Sequence, residues 1–541
     1  MYHSLPIIAL FAAAVNAGLL IDLPHGTIQG SEIKNENHTY YAYRGIPFAL
    51  PPLGNLRFQA PIPNEPWNGV LNATEMKSCC VQMDSVGNPD RFSEDCLHIN
   101  VYTPARNISE KLPVMLWIYG GGFLFGCASD IIFGPYPLVD EDVIVVTFNY
   151  RLGVLGFLST EDKVVLGNAA LKDQLLAMKW TQKNIEYFGG DPEKVTLFGQ
   201  SAGGISVGAH IVNKKSAGLY RAAICQSGCS LTNLAQLTQP NPRKAAYDIA
   251  RSVNPSISEE NTTDEVVDFL QSLPVDVLVD AFKTNPIVGP IVEIEDENAY
   301  VTDLSFGLLE SGNFNQVPCI IGTTSAESLG MVGSTLVLLL TSAATFDSGT
   351  TVVPSNLKPL PLTNLDEVAS LIKKSYTGGL PFLTNLTGFV EYGSDLAFVK
   401  SSLKQAEVQS SYSPVYFYQF SYSGSISKVL HIEVEGAGNV GHTEDLYYLF
   451  NVMDFQLTSQ EELLTRSRMK KLWTNFAKSL NPTPDPSDPL LNVTWPQVSG
   501  TNIPYLDIDK ILEVKPGKKK VEMAMWDYVY YTYGEQPFVG F

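Results

Sequence analysis

Val195-Thr196-Leu197-Phe198-Gly199-Gln200-Ser201-Ala202-Gly203 is an apolar, strand-forming run that ends in a serine set between two glycines. The pentapeptide Gly-x-Ser-x-Gly is weak evidence by itself, because a chain with 42 glycines meets it by chance. Its surroundings make it specific. A strand leads straight into it, and Ala202 to Ile211 continues as a helix, so the serine falls on a sharp strand-to-helix turn. Glycine on both sides lets the backbone bend there and exposes the hydroxyl above a sheet. The turn also sets the Ala202 N–H at a helix N-terminus, where it can donate to an oxygen that gains negative charge. Ser201 is therefore a candidate nucleophile and Ala202 a candidate oxyanion donor.

Other apolar, β-branched runs flank this one. Pro113 to Tyr119, Val143 to Asn149, Ala222 to Cys225, Pro318 to Gly322 and Val415 to Phe420 predict buried strands. Helical spacing appears between them, at Leu171, Leu175, Met178 and Ile185, and again at Met469, Leu472, Trp473, Phe476 and Leu480 before Asn481-Pro482. Apolar strands alternating with amphipathic helices predict an α/β fold: a large, mostly parallel twisted sheet with helices on both faces. No repeat, low-complexity tract or linker divides the chain, so residues 18–541 are expected to form one domain.

A serine nucleophile needs partners. Gly120-Gly121-Gly122-Phe123 follows the strand that ends at Tyr119; such a loop can pass close to a substrate carbonyl with its amides pointing inward. Gly121 and Gly122 are thus candidate oxyanion donors, and Phe123 and Gln200 candidate pocket residues. The base comes last in this hydrolase order, after serine and acid. Of seven histidines, His3, His25, His38 and His98 precede the serine, and His210 lies on the helix leaving it. His431 falls in the alternating run Val429 to Val434 and has the pattern of a strand residue. His442 follows the small, loop-like stretch Gly436 to Gly441 and is the favoured base. Many carboxylates lie between residues 201 and 442. Glu327 stands out by position, just past the strand Pro318 to Gly322 across the turn Thr323-Thr324-Ser325-Ala326.

Bulk properties fix the setting. The 541 residues are 45% hydrophobic and 17% charged, an ordinary globular composition. Met1 to Ser4 leads into an apolar run from Leu5 to Val15, and Val15-Asn16-Ala17 offers a small-residue cleavage site, so residues 1–17 are expected to be a secretory signal peptide. Six Asn-x-Ser/Thr sequons, at Asn37, Asn72, Asn107, Asn261, Asn385 and Asn492, agree with export and are candidate glycosylation sites. Met331 to Ala344 is the longest later apolar stretch and is too short to span a bilayer; the C-terminus carries no anchor or retention signal. The expectation is a soluble, extracellular protein without a stable membrane anchor. A formal charge of −20 argues against nucleic acid as a partner. The seven cysteines are odd in number; Cys79, Cys80 and Cys96 lie close enough for a small disulfide loop, whereas Cys127, Cys225, Cys229 and Cys319 fit buried thiols.

Five further segments and the serine turn itself carry a family resemblance: Tyr43-Arg44-Gly45-Ile46-Pro47, Ser93-Glu94-Asp95-Cys96-Leu97, Trp117 to Phe123, Asn149-Tyr150-Arg151-Leu152-Gly153 and Phe188-Gly189-Gly190-Asp191-Pro192. With these, the chain resembles a type-B carboxylesterase of the cholinesterase-like group, a branch of the α/β-hydrolase fold, over essentially its whole mature length. The resemblance implies a Ser201–Glu327–His442 triad, oxyanion donors at Gly121, Gly122 and Ala202, and a Cys80–Cys96 disulfide, with Cys79 left over. It also implies structural ion pairs of Arg44 with Glu94 and Arg151 with Asp173, and neither metal nor organic cofactor.

Departures from the family pattern bear on substrate. Cholinesterases carry Glu before the serine and a Trp in the first disulfide loop; here Gln200 removes the charge and Val81 to Asp95 contains no Trp. A choline cation would lose its electrostatic and cation–π partners. The Gly-Gln-Ser-Ala-Gly turn, with Arg57-Phe58 and Asp173-Gln174, resembles insect juvenile hormone esterases and insect antennal or integument esterases. The hormone-esterase pattern has Gly three residues before the histidine where this chain has Asn439, and Asn439 to Asp445 is closer to the antennal group. The expected activity is hydrolysis of small, neutral, apolar esters through an acyl-enzyme, with odorant or pheromone acetates or xenobiotic esters as substrates. A juvenile hormone esterase is the alternative, and a catalytically silent binding or adhesion protein on the same fold is the alternative of another class.

Overall fold

The computed structural model describes residues 19–35, 38–83, 91–233, 241–284, 289–453 and 455–541. The expected signal peptide and the Asn37 sequon lie outside the described residues. The principal sheet comprises β1 (Ser31–Asn35), β2 (His38–Pro47), β3 (His98–Thr103), β4 (Leu112–Ile118), β5 (Ile144–Phe148) and β6 (Gly190–Gln200). It continues through β7 (Ala222–Gln226), β8 (Cys319–Thr324), β9 (Val415–Phe420), β10 (Tyr505–Ile508) and β11 (Leu512–Lys515). Among the described residues these form an 11-stranded sheet in the order β11-β10-β9-β8-β7-β6-β4-β5-β3-β2-β1. Pairing is parallel without a break from β5 to β10 and antiparallel at both ends.

Every residue of β5, β7 and β8 is buried. Successive strand side chains point to opposite faces, so a wholly buried strand requires cover on both. That cover includes α1 (Ala169–Asn184), α2 (Ala202–Val212) and α3 (Gln460–Ser479). Gln174 of α1 donates to Ser206 of α2 at 3.1 Å, while Trp473 of α3 donates to Gln226 of β7 at 3.1 Å and meets Tyr418 of β9 edge-on. Ser459 and Glu462 form a capping box that starts α3, and Leu480 ends it in a left-handed turn. The fully buried Trp117, Trp473 and Trp526 each contribute roughly 1.5–3 kcal/mol of apolar burial.

Several expectations need correction. β6 begins at Gly190, five residues before the expected Val195, pairing there with Leu112 ahead of a register shift. His431 is not a strand residue; it follows the short helix Ser427–Leu430. Arg44 pairs with Asp130 at 2.9 Å, and Glu94 is taken bidentately by Arg57 at 2.7 Å to each oxygen. The Arg57 guanidinium also donates to the carbonyls of Leu270, Gln271 and Leu273, so it anchors that turn. Arg151 does pair with Asp173, buried and bidentate. Cys80 is bonded to Cys96 as the resemblance implied, but Cys127 is no free thiol: it is bonded to Cys79. Cys225, Cys229 and Cys319 are buried and free. Among the described residues, no helix is long and apolar enough to cross a membrane.

Candidate active site

The sharp turn between β6 and α2 is built by close contacts. A Cβ on Gly199 would lie 2.5 Å from the Gly203 backbone, and one on Gly203 would lie 2.0 Å from the Ile118 carbonyl oxygen at the end of β4. Neither glycine can be replaced without moving backbone. Ser201 itself takes φ 57° and ψ −126°, outside the regions open to ordinary L residues, at a cost of about 1–3 kcal/mol. Its N–H donates to the Gln226 carbonyl at 2.9 Å and its carbonyl accepts from Ile205 at 2.9 Å, so two elements hold the strained residue in place.

Glu327 follows β8 and is fully buried. One carboxylate oxygen meets His442 Nδ1 at 2.6 Å; the other accepts from the Ser227 hydroxyl at 2.6 Å and the Thr324 N–H at 2.7 Å. Burial opposes ionisation, yet the charge and hydrogen bond of His442 and the bonds from Ser227 and Thr324 outweigh it and hold the carboxyl below its ordinary value. A second tie joins the two segments, from the His442 N–H to the Glu327 carbonyl at 3.3 Å. The His442 ring lies flat on Phe398, centroids 4.4 Å apart and planes 3° off parallel. Its Nε2 faces the Gln200 side-chain nitrogen at 3.2 Å, so the Gln200 amide donates to the imidazole lone pair.

The glycine loop after β4 lies against this group. A Cβ on Gly120 would be 2.5 Å from the Gln200 carbonyl and 2.9 Å from Ser201 Cβ. Gly121 and Gly122 have φ of +119° and +61°, and a Cβ on Gly122 would meet open space. Ala202 opens α2 directly beyond Ser201. Ser201, His442, Gln200, Gly121 and Gly122 line one cavity of about 600 Å³. Its other walls include Phe92, Phe125, Phe133, Leu446, Tyr447 and Met453; Arg91 is its sole permanent charge among the described residues.

Phe123 does not line this cavity. With φ +62° it turns into the core and packs edge-on against Phe157 at 5.1 Å; Phe125 takes the place at the wall. His431 is also elsewhere: its Nε2 meets Glu444 at 2.7 Å, and Glu444 accepts from the Gly441 N–H, so the pair braces the loop that carries His442. Ser227, Thr324 and Phe398 escaped the sequence reading. Ser227 carries a signal, since it directly follows the apolar strand next to the serine strand; Phe398 lies on a distant helical segment and carries none. Asp445 accepts from Gln226 at 2.8 Å and Tyr418 at 3.1 Å, and burial pushes its carboxyl up to about 6. Of the described sequons, Asn72, Asn107 and Asn492 are exposed and Asn261 and Asn385 half-buried.

Comparison with known proteins bears on the family and the fold. The family model described as "Carboxylesterase family" matches residues 17–526. A juvenile hormone esterase of Tribolium castaneum is 33% identical over 510 residues, 88% of this chain and 85% of that protein. A carboxylic ester hydrolase of Bombus ignitus is 35% identical, covering 84% of each chain. The crystal structure of juvenile hormone esterase from Manduca sexta, with OTFP covalently attached, superposes with a TM-score of 0.82 at 30% identity, covering 95% of this chain and 99% of that one.

Proposed function

This chain belongs to the carboxylesterase family and is a carboxylic ester hydrolase of the α/β-hydrolase fold; on that premise we propose that Ser201, His442 and Glu327 hydrolyse small, neutral, apolar esters through an acyl-enzyme. The observation that supports this reading most strongly is the buried Glu327–His442 contact of 2.6 Å, opening on the same cavity as Ser201. Ser201 Oγ attacks the ester carbonyl while His442 Nε2 takes its proton; Nε2 must first exchange the Gln200 amide for that hydroxyl. Glu327 fixes the Nδ1–H tautomer and stabilises the imidazolium. The Gly121, Gly122 and Ala202 amides donate to the tetrahedral oxyanion. His442 then returns its proton to the leaving alcohol, and water repeats the sequence to release the acid.

The cavity supports an apolar substrate, since Phe92, Phe125, Ile132, Phe133, Leu446 and Val452 stand among its walls and no carboxylate does among the described residues. Export through residues 1–17, glycosylation at sequons and an odorant or pheromone acetate as substrate complete the proposal. The hormone-esterase alternative draws on the two similar proteins that bear that name. One experiment addresses both. Turnover of long-chain alkyl acetates, a conjugated methyl ester and a choline ester is compared with Ser201→Ala as blank. The acetates should lead, the choline ester should be poorest, and Ser201→Ala should lose at least about 10⁴-fold in kcat. A preference for the conjugated methyl ester would favour the hormone reading; near-normal turnover by Ser201→Ala would refute the mechanism.

A further inference from the structure

Three consecutive glycines are the least ordered backbone a chain can offer, and holding them in one conformation costs conformational entropy. Oxyanion donors must nevertheless sit about 2.7–3.1 Å from the developing charge. Something outside Gly120–Gly122 has to hold that loop. The structure places such a device at Cys79–Gln82. Cys79 is bonded to Cys127 at the far end of the loop. Gln82 pairs with the Gly126 peptide in both directions: its amide donates to the Gly126 carbonyl at 3.0 Å, and its carbonyl accepts the Gly126 N–H at 3.1 Å. The same Gln82 amide donates to the Cys80 carbonyl at 3.0 Å, and Cys80 is tied to Cys96.

Gly126 passes this restraint to the donors by direct contact. A Cβ there would lie 2.7 Å from the Gly120 carbonyl oxygen and 2.5 Å from the Tyr119 ring, so the loop closes on its own root. Gly120 in turn abuts Gln200 and Ser201. An unbroken chain of contacts therefore runs from Cys79 and Gln82 through Gly126 and Gly120 to the serine. We propose that the Cys79–Cys127 disulfide and Gln82 are positioning elements for the oxyanion loop, fixing Gly121 and Gly122 at the distance the transition state needs. This inference rests on the assignment of Ser201 and the glycine amides made above.

All three side chains also line the cavity, so the competing role is that of a simple wall, felt in substrate binding. The two roles separate kinetically, because a displaced oxyanion donor costs kcat and a lost wall raises KM. The test compares the wild type with Cys79→Ser/Cys127→Ser and with Gln82→Ala. Asn149 still joins the two segments in both variants, accepting from the Ala128 N–H at 2.9 Å and donating to the Ser78 carbonyl at 3.1 Å. If the double variant is not exported, Gln82→Ala, with both disulfides intact, carries the measurement. Active serine is counted with a fluorophosphonate, then kcat and KM are measured on a neutral ester. Affinity is measured for an alkyl trifluoromethyl ketone, which forms an oxyanion on Ser201, and for the matching trifluoromethyl alkane without the carbonyl, which does not. The expected result is a kcat lower by at least about tenfold, KM within about twofold, and ketone affinity weakened in step with kcat while the alkane is unaffected. A raised KM with unchanged kcat, or unchanged ketone affinity, would overturn the positioning role. Variants that match the wild type overturn it too and leave the esterase reading standing, whereas a wild type that takes up no fluorophosphonate overturns that reading itself.

Discussion

Asp445 has a measurable signature. Its buried carboxyl titrates at about 6, against an ordinary 3.8, because removal from water penalises the charged form. A carboxyl raised in the fold contributes most below its unfolded value and loses that contribution as pH climbs through its folded value, here up to about 3 kcal/mol. Asp445→Asn keeps an oxygen for Gln226 and Tyr418 but never ionises. Wild type should therefore lose thermal stability relative to Asp445→Asn between pH 4 and pH 7; a difference in Tm that is constant over that range would sink the argument. Other residues show where sequence stops. His442 was reachable because it stands in a loop of small residues after a long α/β stretch, and Glu327 because it follows a strand end. Phe125 could not be told from Phe123, since which ring faces the cavity depends on two successive residues at positive φ, Gly122 and Phe123. The partners of Arg44 and Arg57 likewise depend on where distant turns dock.

At the scale of elements, the strand-to-helix turn tolerates almost no change. Gly203→Ala drives a methyl group against the end of β4, so it should cost roughly 1–3 kcal/mol or more and depress both Tm and the yield of folded protein. Gly122→Ala meets no atom and should cost only about 1 kcal/mol for its backbone conformation. Equal losses of Tm in the two variants would show that crowding at Gly203 is not the cause. The parallel strands were legible because burial on both faces forces continuous apolar runs. The start of β6 was not: Gly190-Asp191-Pro192-Glu193 has the composition of a turn, and only Gly190 pairs with β4, while Gln182 donates to the Pro192 carbonyl at 2.8 Å. The Cys79–Cys127 bond was equally hidden, since 48 positions separate its ends and only the folded loop brings them together.

For the whole molecule, processing should be readable at both the N-terminus and the surface. Protein recovered from a eukaryotic host's medium should begin at Gly18 and lose mass on enzymatic deglycosylation, with Asn72, Asn107 and Asn492 occupied because they are exposed. An intact Met1 on the exported protein would contradict the cleavage assignment. The topology also sets a timetable. The serine turn closes a central strand, β6, yet the histidine proposed to activate it is 241 positions further along. At about 5–20 residues per second of synthesis, the ribosome delivers Ser201 on the order of ten to fifty seconds before His442. Throughout that interval the nascent chain carries a serine with no base to activate it. On the proposed triad, catalytic competence cannot arise before residue 442 of 541 has been made, so the unfinished polypeptide carries no working ester-cleaving site.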